Sequence, residues 1–207
     1  MCYGTAGFTA ALSVFKLTVH GGILPEHGEV LVSGATGGVG SIAVAILSKL
    51  GYPVAAVNGL VDESDYLKKI GAQRIISIEE ATDQSGRPLL KSRWSGSIDT
   101  VGGDILATSI KSVNANGVVT SCGNVASPEL PINVYPFILR GVTLVGIDSQ
   151  NCPMPNRLKT WEKLADEWKI PLMETVVEEI NLIDLDQAID RMLHGKHKGR
   201  AIVNMTA

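Results

Sequence analysis

A glycine-rich loop between an apolar strand and an apolar helix constrains the fold of this chain more than any other feature. The strand is predicted at Glu29–Ser33, whose centre is continuously apolar, as in strands buried on both faces of a parallel sheet. The loop is Ser33–Gly40, with the sequence S-G-A-T-G-G-V-G, and the helix runs from about Gly38 to Leu50. This order of strand, glycine loop and helix predicts the start of a Rossmann βαβ unit.

Short apolar runs alternate with helical patterns as far as Ser149. The predicted strands are 29–33, 54–57, 74–78, 98–101, 118–122 and 142–147. Helices are predicted between them at 41–50, 64–70 and about 105–113. This pattern is typical of an α/β fold with a doubly wound parallel sheet of about six strands, that is, a complete Rossmann domain.

The positions within the glycine loop suit a pyrophosphate group. The absence of a side chain at Gly37 lets the backbone approach the phosphates, and Gly40 lets the helix pack closely on the strand. Free N–H groups at the start of the helix, at Gly38–Val39, attract negative charge. Ala35 stands in place of the usual first glycine and Thr36 follows it, which predicts a slightly wider turn. The loop therefore predicts a dinucleotide site.

The second strand ends in Asn58-Gly59, which bears on the choice between NADPH and NADH. NAD enzymes usually carry Asp or Glu here to bind the ribose 2′-hydroxyl. Because Asn58 has no charge to repel a 2′-phosphate, the sequence favours NADP(H), although no arginine follows and Asp62 and Glu63 lie close by. Lys68–Lys69 are predicted either to line a solvent-exposed helix face or to reach that phosphate.

Small residues recur at the ends of three later strands, in the turns 100–103, 122–124 and 146–149. Ligands of open α/β sheets bind beyond the carboxyl ends of the strands, so we predict that these turns face the nicotinamide. The alternative is that they are ordinary tight turns. The residues assigned to cofactor contact are Gly102, Gly123, Asn124, Gly146, Ile147, Asp148 and Ser149.

The composition argues against several other functions. The net charge is −3 with interspersed signs, so no nucleic acid partner is predicted. The apolar runs are far shorter than the roughly 20 residues of a membrane span, and the N-terminus lacks a signal-peptide pattern, so no membrane partner is expected. Three scattered cysteines predict no disulfide framework, which suits a reducing cytoplasm.

No metal site is predicted, because no cysteine cluster has the spacing of zinc ligands. His194 and His197 lie among lysines at the end of a predicted helix, where cations complement the helix dipole. We therefore expect both histidines to be solvent-exposed. Cys122 is predicted to be a small apolar strand residue and not a nucleophile.

The chain changes character after about residue 150. The segment 151–207 holds predicted helices at 156–168 and 184–194 and predicted strands at 174–181 and 200–205. Two strands and two helices are too few to bury their own apolar faces, and the helix-like stretch Gly4–His20 has the same problem. We therefore predict a Rossmann domain at 1–150 and a segment, 151–207, that needs a partner layer. Asp184 and Gln187 predict a capping box for its second helix.

Several strings together resemble the zinc-free quinone oxidoreductases of the medium-chain dehydrogenase/reductase superfamily, and in particular the acryloyl-CoA reductase branch. They are Gly4–Ala10 (GTAGFTA), Val30–Gly40 (VLVSGATGGVG), Tyr66–Ala72 (YLKKIGA), Ile98–Gly102 (IDTVG), Pro136–Val142 (PFILRGV) and Gly146–Ser149 (GIDS). The resemblance covers essentially the whole chain. It implies an NADPH-dependent reduction of an activated C=C bond by hydride transfer. The small-molecule substrate it implies is an acryloyl-CoA-like thioester, an enone or a quinone.

The same resemblance assigns roles to individual residues. It implies that Thr5 and Ala6 border the nicotinamide, that Gly37–Val39 hold the pyrophosphate, and that Asn58-Gly59 lie at the adenosine ribose. The family usually has a serine where Asn58 stands and an arginine where Leu60 stands. This departure bears on how strongly the 2′-phosphate is selected.

Members of this family carry a GroES-like catalytic domain ahead of the Gly4–Ala10 helix, and the chain returns to that domain after the Rossmann fold. The resemblance thus implies that the chain is truncated and that 151–207 is the C-terminal remnant of the GroES-like domain. The catalytic residues are unknown, and the resemblance implies that they lie on the missing part of the GroES-like domain. We expect the chain to bind dinucleotide and to reduce little or nothing by itself.

Two other functions stay open. A short-chain dehydrogenase would share the spacing of Gly34, Gly37 and Gly40 but relies on a Tyr-x-x-x-Lys motif, and Tyr66 is followed four residues on by Ile70. A non-catalytic dinucleotide-sensing or interaction module is the second alternative.

The last predicted strand of the sheet, Val142–Ile147, is apolar, and an exposed edge of this kind invites pairing with a second copy. Family members commonly dimerise this way. The chain is therefore predicted to form a homodimer through this edge.

Overall fold

The main sheet of the computed structural model, which describes residues 2–59, 63–171 and 173–205, has six parallel strands. They are β1 (Val30–Val32), β2 (Val54–Asn58), β3 (Arg74–Ser77), β4 (Trp94–Asp99), β5 (Val113–Ser121) and β6 (Thr143–Gly146). Their order is β3-β2-β1-β4-β5-β6, so the chain winds outward in both directions from β1 and β4. This order confirms the predicted doubly wound Rossmann sheet.

The central position of β1 explains its uniformly apolar sequence. Val32 is paired with Ala56 on one side and with Ile98 on the other, and all three residues of β1 are buried. Helices cover both faces of the sheet at this point, so neither face of the strand can carry a polar side chain.

Two helical layers enclose the sheet. The helices of this part of the chain are α1 (Gly4–Phe15), α2 (Gly38–Lys49), α3 (Ser64–Lys69), α4 (Ile78–Ala81), α5 (Gly103–Ser112) and α6 (Tyr135–Arg140). One core cluster joins α1 and α2 through residues such as Val14 and Ile46, and the other gathers Leu31, Ile76 and Ile110 under α5. The fully apolar face of α2 is thus explained by its place between the sheet and α1.

The C-terminal segment adds α7 (Met154–Ala165), α8 (Met173–Val176), β7 (Val177–Asn181), α9 (Leu185–Leu193) and β8 (Arg200–Asn204). Strands β7 and β8 form a separate two-stranded parallel sheet. Helix α7 finds its partner layer on α1, where Trp161 stacks on Phe8 with ring centroids 5.5 Å apart. Ile183 and Leu193 remain 88% and 79% exposed near α9. The domain boundary at residue 150 stays a prediction.

Several elements differ from the sequence-based expectation. Helices α4 and α6 were not predicted, and β4 begins at Trp94 and not at Ile98. The predicted strand 174–181 begins as the helical turn α8, and β5 begins at Val113 and not at Val118. Its first residue, Val113, is followed by the run N-A-N-G at 114–117, in which Asn116 has a φ of 60°. The register against β4 shifts across this run, so no continuous apolar pattern marks the start of the strand. Asp184 makes no capping hydrogen bond, because a 3-10 turn at Leu182–Asp184 leads into α9. Within the described ranges, no helix has the length and apolar character to cross a bilayer.

Candidate functional site

The glycine loop turns at Gly34, whose φ of 59° lies in the left-handed region. A Cβ on Gly34 would lie 2.1 Å from Thr100 Oγ1, and a Cβ on Gly40 would lie 2.2 Å from the Gly34 carbonyl oxygen. Neither site can hold a side chain, so the loop folds tightly against the end of β4 and the start of α2. Ala35 is fully buried beneath the loop.

The N-terminus of α2 is open toward the cavity above the loop. Its N-cap residue is Gly37, and no side chain caps the helix and no acidic residue lies in its first turn. The first N–H groups of a helix have no intrahelical partner, and the helix dipole adds positive potential there. Gly37 and Gly38 therefore present bare, electropositive backbone.

A cavity of about 640 Å³ lies over this helix terminus. Six of the predicted cofactor residues line it, namely Ala6, Thr36, Gly37, Gly38, Val39 and Gly59. Apolar walls come from Val57, Ile78 and Ile105, with Thr100 and Val101 at the end of β4. The arrangement combines an electropositive end with an apolar slot, as small-molecule sites often do.

The other predicted residues do not line this cavity. They are Thr5, Ala35, Gly40, Asn58, Gly102, Gly123, Asn124, Gly146, Ile147, Asp148 and Ser149. Asn58 ends β2, where its Nδ2 donates to Ser64 Oγ at 3.4 Å. Asn58 therefore stands next to Gly59, which does line the cavity.

The predicted turns at the ends of β4 and β5 pack on one another. A Cβ on Gly102 would lie 2.4 Å from the Ser127 carbonyl oxygen, and one on Gly123 would lie 2.0 Å from the Thr100 carbonyl oxygen. Both glycines are thus required by close backbone contact. The third turn follows β6, where Asn151 donates to both carboxylate oxygens of Asp148, and these hydrogen bonds lower the pKa of that exposed carboxyl.

A buried carboxyl underlies the two central turns. Asp99 at the end of β4 is fully buried, and its Oδ2 accepts from the Gly102 N–H at 2.8 Å. Burial raises the pKa of Asp99, while the hydrogen bonds that it accepts oppose this rise. Burial, and to a smaller extent the charge of Asp99, raise the pKa of the Cys122 thiol to about 11, so the thiol is held in its protonated form near neutral pH.

One wall of the cavity was missed by the sequence-based prediction. It is formed by Met192, Gly195, His197, Gly199, Arg200 and Ala201, around the start of β8. His197 is half-buried in this wall, so the expectation that it is solvent-exposed was wrong; His194 does lie in solvent, with its side chain 63% exposed. The basic run 196–200 was the available signal, but its position at a helix end favoured a surface role.

Arg200 is the most informative of these residues. A Cβ on Gly38 would lie 3.1 Å from Arg200 Cδ, and one on Gly4 would lie 2.9 Å from Arg200 Nη2. The guanidinium therefore lies between the N-termini of α2 and α1. Its buried Nε has no hydrogen-bond partner within the described chain. A buried charged donor without a partner is costly, so this group is suited to receive an anion at the mouth of α2.

No three His, Cys, Asp or Glu side chains within residues 2–59, 63–171 and 173–205 form a group that could hold a metal ion. The cysteines in these ranges, Cys2, Cys122 and Cys152, are free thiols. The cavity thus offers backbone donors, one guanidinium and apolar walls.

A family model described as zinc-binding dehydrogenase matches residues 38–167. The chain belongs to this family. It is 43% identical over 207 residues to the acrylyl-CoA reductase AcuI of Ruegeria pomeroyi. The matched region covers 100% of this chain and 62% of that relative. This confirms the resemblance to the acryloyl-CoA reductase branch of the medium-chain superfamily and decides against a short-chain dehydrogenase.

Two solved structures of family members superpose closely. The yhdH oxidoreductase of Salmonella enterica, in complex with NADP, has a TM-score of 0.94 and 44% identity, covering 99% of this chain and 62% of that one. The Bacillus subtilis protein yhfP, with NAD bound, has a TM-score of 0.94 and 46% identity, with the same coverage of 99% and 62%. The chain therefore spans 62% of the length of the relatives that it matches.

Proposed function

We propose that this chain binds NADP(H) in the 640 Å³ cavity, as the cofactor-binding part of a reductase of activated C=C bonds. The observation that carries the proposal is the guanidinium of Arg200, whose buried Nε has no hydrogen-bond partner within the described chain, beside the uncapped N-terminus of α2. The guanidinium and the helix N-terminus, both sources of positive potential, thus lie beside glycines whose backbone is not covered by a side chain of their own. This donor set fits a pyrophosphate.

We assign the parts of the dinucleotide to residues along the cavity, starting from the pyrophosphate. Gly37–Val39 and Arg200 hold the pyrophosphate. Val57 and Gly59, with Ile78 opposite, receive the adenosine, because they form the apolar end of the slot next to β2. These assignments agree with the general rule that a dinucleotide lies across the carboxyl ends of a doubly wound sheet.

The nicotinamide end is assigned to the predicted residues around β4–β6 and the start of α1. Ala6 lines the cavity there, and Thr5 precedes it on α1. We place Gly102, Gly123, Asn124 and the turn 146–149 on the same side, where the buried Asp99 fixes the turn after β4.

The proposed chemistry is hydride transfer to an acryloyl-CoA-like thioester, an enone or a quinone. The bound dinucleotide would supply the hydride. The chain's own residues bind and orient it, and donors that stabilise the developing oxyanion are expected on the GroES-like domain of the family. The name of AcuI and the NADP complex of yhdH support this proposal. The NAD complex of yhfP supports dinucleotide binding but not a preference for NADP(H).

The direct test is a calorimetric titration of this chain with NADPH and, separately, with NADH. We expect binding that is lost in Gly37→Asp, because an N-cap φ of −75° accepts a side chain while its carboxylate would cap the helix and repel the pyrophosphate. Gly86→Asp makes the same charge change in an exposed turn outside the cavity; its φ of 68° should cost about 1 kcal/mol of stability, but the variant should bind like the unmodified chain. Failure of both nucleotides to bind would overturn the proposal.

A non-catalytic sensing module remains the second candidate, and turnover separates it from a reductase. Consumption of NADPH with acryloyl-CoA by the chain supplied with the GroES-like domain of a family member, or by a full-length relative into which these residues are introduced, supports a reductase. Binding without turnover in either setting favours the sensing module.

We further propose that 1–150 and 151–207 belong to different domains, the second being of the GroES-like type. The two-stranded sheet β7–β8 supports this, since a pair of strands is too small to be stable alone. Ile183 and Leu193 beside it are available for contact with a further layer.

We also propose a homodimer through the β6 edge of the sheet. Strand β6 is the last in the sheet order, and Ile138 and Leu139 of the adjacent α6 are 67% and 63% exposed. Sedimentation at micromolar concentration should show a dimer that Ile138→Asp converts to a monomer. Leu193→Asp, at a leucine of α9 that is 79% exposed, should leave it intact. A monomeric unmodified chain would argue against this edge.

A further inference from the structure

The 2′-phosphate is the group that distinguishes NADP(H) from NAD(H), and the segment after β2 supplies no cation to bind it. Residues 59–63 read G-L-V-D-E, of which 60–62, including Leu60 at the family's arginine position and Asp62, lie outside the described residues. The sequence of this segment therefore carries two carboxylates and no basic side chain. A phosphate needs positive charge from elsewhere in the fold.

Lys68 and Lys69 do not provide it. Both are exposed at the end of α3, and Lys69 lines a small cavity with Ser48 and Gly71. Ser48 lies at the C-terminal end of α2, whereas the glycine loop lies at its N-terminal end, about 16 Å away along the helix. The exposure of both lysines agrees with the predicted solvent-exposed helix face, and neither lysine lines the cavity over the glycine loop.

The missed wall of the cavity brings another lysine to the end of β2. Lys198 Nζ lies 3.1 Å from Glu63 Oε2, and the ammonium lies 5.6 Å from the centre of the Tyr66 ring. Its neighbours His197 and Gly199 line the same cavity as Gly59. Lys198 thus reaches across from the start of β8 to the residues that follow β2.

The backbone beside Lys198 is fixed to the glycine loop. The Gly199 N–H donates to the Thr36 carbonyl oxygen at 2.8 Å. Gly199 has a φ of 61°, and a Cβ there would lie 2.1 Å from the Val176 carbonyl oxygen. The position of Lys198 relative to the glycine loop is therefore set by backbone contacts, while its side chain, 53% exposed, keeps the freedom to change partner.

We propose that Lys198 selects NADP(H) over NAD(H) by moving its ammonium from the Glu63 carboxylate to the 2′-phosphate. A phosphate monoester carries about −1.5 to −2 charges at neutral pH and three acceptor oxygens, against one charge on a carboxylate, so it is the stronger partner. Glu63 opposes the selection, because it competes for the ammonium and repels the phosphate. The inference rests on the proposed binding of a dinucleotide in this cavity.

The experiment compares the dissociation constants of NADPH and NADH by calorimetry for the whole chain and three variants. Lys198→Gln should weaken NADPH binding about five- to tenfold and change NADH binding less than twofold. Glu63→Gln should act in the opposite direction and tighten NADPH binding about twofold, again with little effect on NADH. Lys196→Gln removes the same charge from an exposed lysine of the same loop and should change neither nucleotide's affinity.

Adenosine 2′-phosphate and adenosine 5′-phosphate give a readout that is independent of the nicotinamide. Lys198→Gln should weaken the first and spare the second. An equal loss of both nucleotides in Lys198→Gln, or no loss, would overturn the assignment of selectivity to Lys198. If the unmodified chain binds NADPH and NADH equally, the selection is overturned while the proposed dinucleotide site stands. If it binds neither, the proposed function itself fails.

Discussion

The hydroxyl of Ser33 donates a 2.7 Å hydrogen bond to Asp99 Oδ1 and thereby joins the ends of β1 and β4. The same hydroxyl oxygen accepts from the Thr100 N–H at 3.1 Å, and the other oxygen of Asp99 accepts from the Gly102 N–H at 2.8 Å. One buried carboxyl therefore fixes both the residue that begins the glycine loop and the turn after β4. Because all of these groups are shielded from water, each lost partner leaves a buried donor or acceptor unsatisfied.

We expect Ser33→Ala to lower the free energy of unfolding by about 1–3 kcal/mol, the usual cost of orphaning buried polar groups. The Ser33 hydrogen bond favours the charged carboxylate of Asp99, so the deficit should be larger at neutral pH than in acid, where the carboxyl is protonated. Denaturant unfolding measures both. Ser109→Ala is the matched control, since among the described residues its buried hydroxyl bonds only to the Ile105 carbonyl of its own helix. Equal stability of the two variants would contradict this role for Ser33.

Gly199 and Gly195 offer a second comparison, because both have left-handed backbones but different surroundings. Gly195→Ala meets nothing within 4 Å and should cost about 1 kcal/mol for its φ of 65°. Gly199→Ala adds a collision with the Val176 carbonyl and should cost at least 1 kcal/mol more. It should also weaken dinucleotide binding, since the bond from Gly199 to Thr36 holds β8 over the glycine loop. Unfolding and titration experiments that rank the two variants alike would disprove this difference.

Arg200 should contribute to both nucleotides equally, because the pyrophosphate is common to them. Arg200→Met keeps the apolar stem and removes the guanidinium, and we expect the dissociation constants of NADPH and NADH to rise by the same factor, about tenfold. The matched control is Arg191→Met, an arginine of α9 paired 3.2 Å from Glu178, which should leave both constants unchanged. A change confined to NADPH would move Arg200 to the 2′-phosphate instead.

Most of the sheet could be predicted from sequence because patterns of neighbouring residues mark its strands. Each buried strand is a short apolar run, and the glycine loop marks the junction between β1 and α2. The start of β5 could not be predicted, since the turn sequence N-A-N-G separates Val113, which pairs with Trp94, from the apolar run of the strand, and the register against β4 shifts across it. Local patterns give no signal where tertiary pairing alone decides the structure.

The residues of the candidate site also divide into those that the sequence could assign and those that it could not. The loop positions Thr36–Val39 and Gly59, which the sequence assigned to the cofactor, line the cavity, since their spacing along the chain fixes their place in a βαβ unit. Arg200 and His197 could not be assigned from sequence, because they come from the far end of the chain. Arg200 reaches Gly38, and His197 reaches the cavity, only through the packing of the segment around β8, which no short-range pattern encodes.

The ion pair of Asp83 and Lys111 gives a prediction for the pH dependence of stability. Lys111 Nζ lies 2.7 Å from Asp83 Oδ2, and the two side chains are only 12% and 10% exposed. The hydrogen bond from Lys111, aided by Ser85, lowers the pKa of Asp83 to about 2 from an ordinary 3.8. A carboxyl whose pKa is lower in the folded state stabilises the fold above its unfolded pKa and loses this effect as the pH falls toward the folded value.

Asp83→Asn should therefore cost about 1 kcal/mol from pH 5 to 7, after allowance for solvent screening, and progressively less below pH 4. Lys111→Met should flatten the same acid dependence, because it removes the main cause of the lowered pKa. Urea unfolding across this range measures all three chains, and a deficit of Asp83→Asn that is as large at pH 3 as at pH 7 would rule out the ion pair as its source.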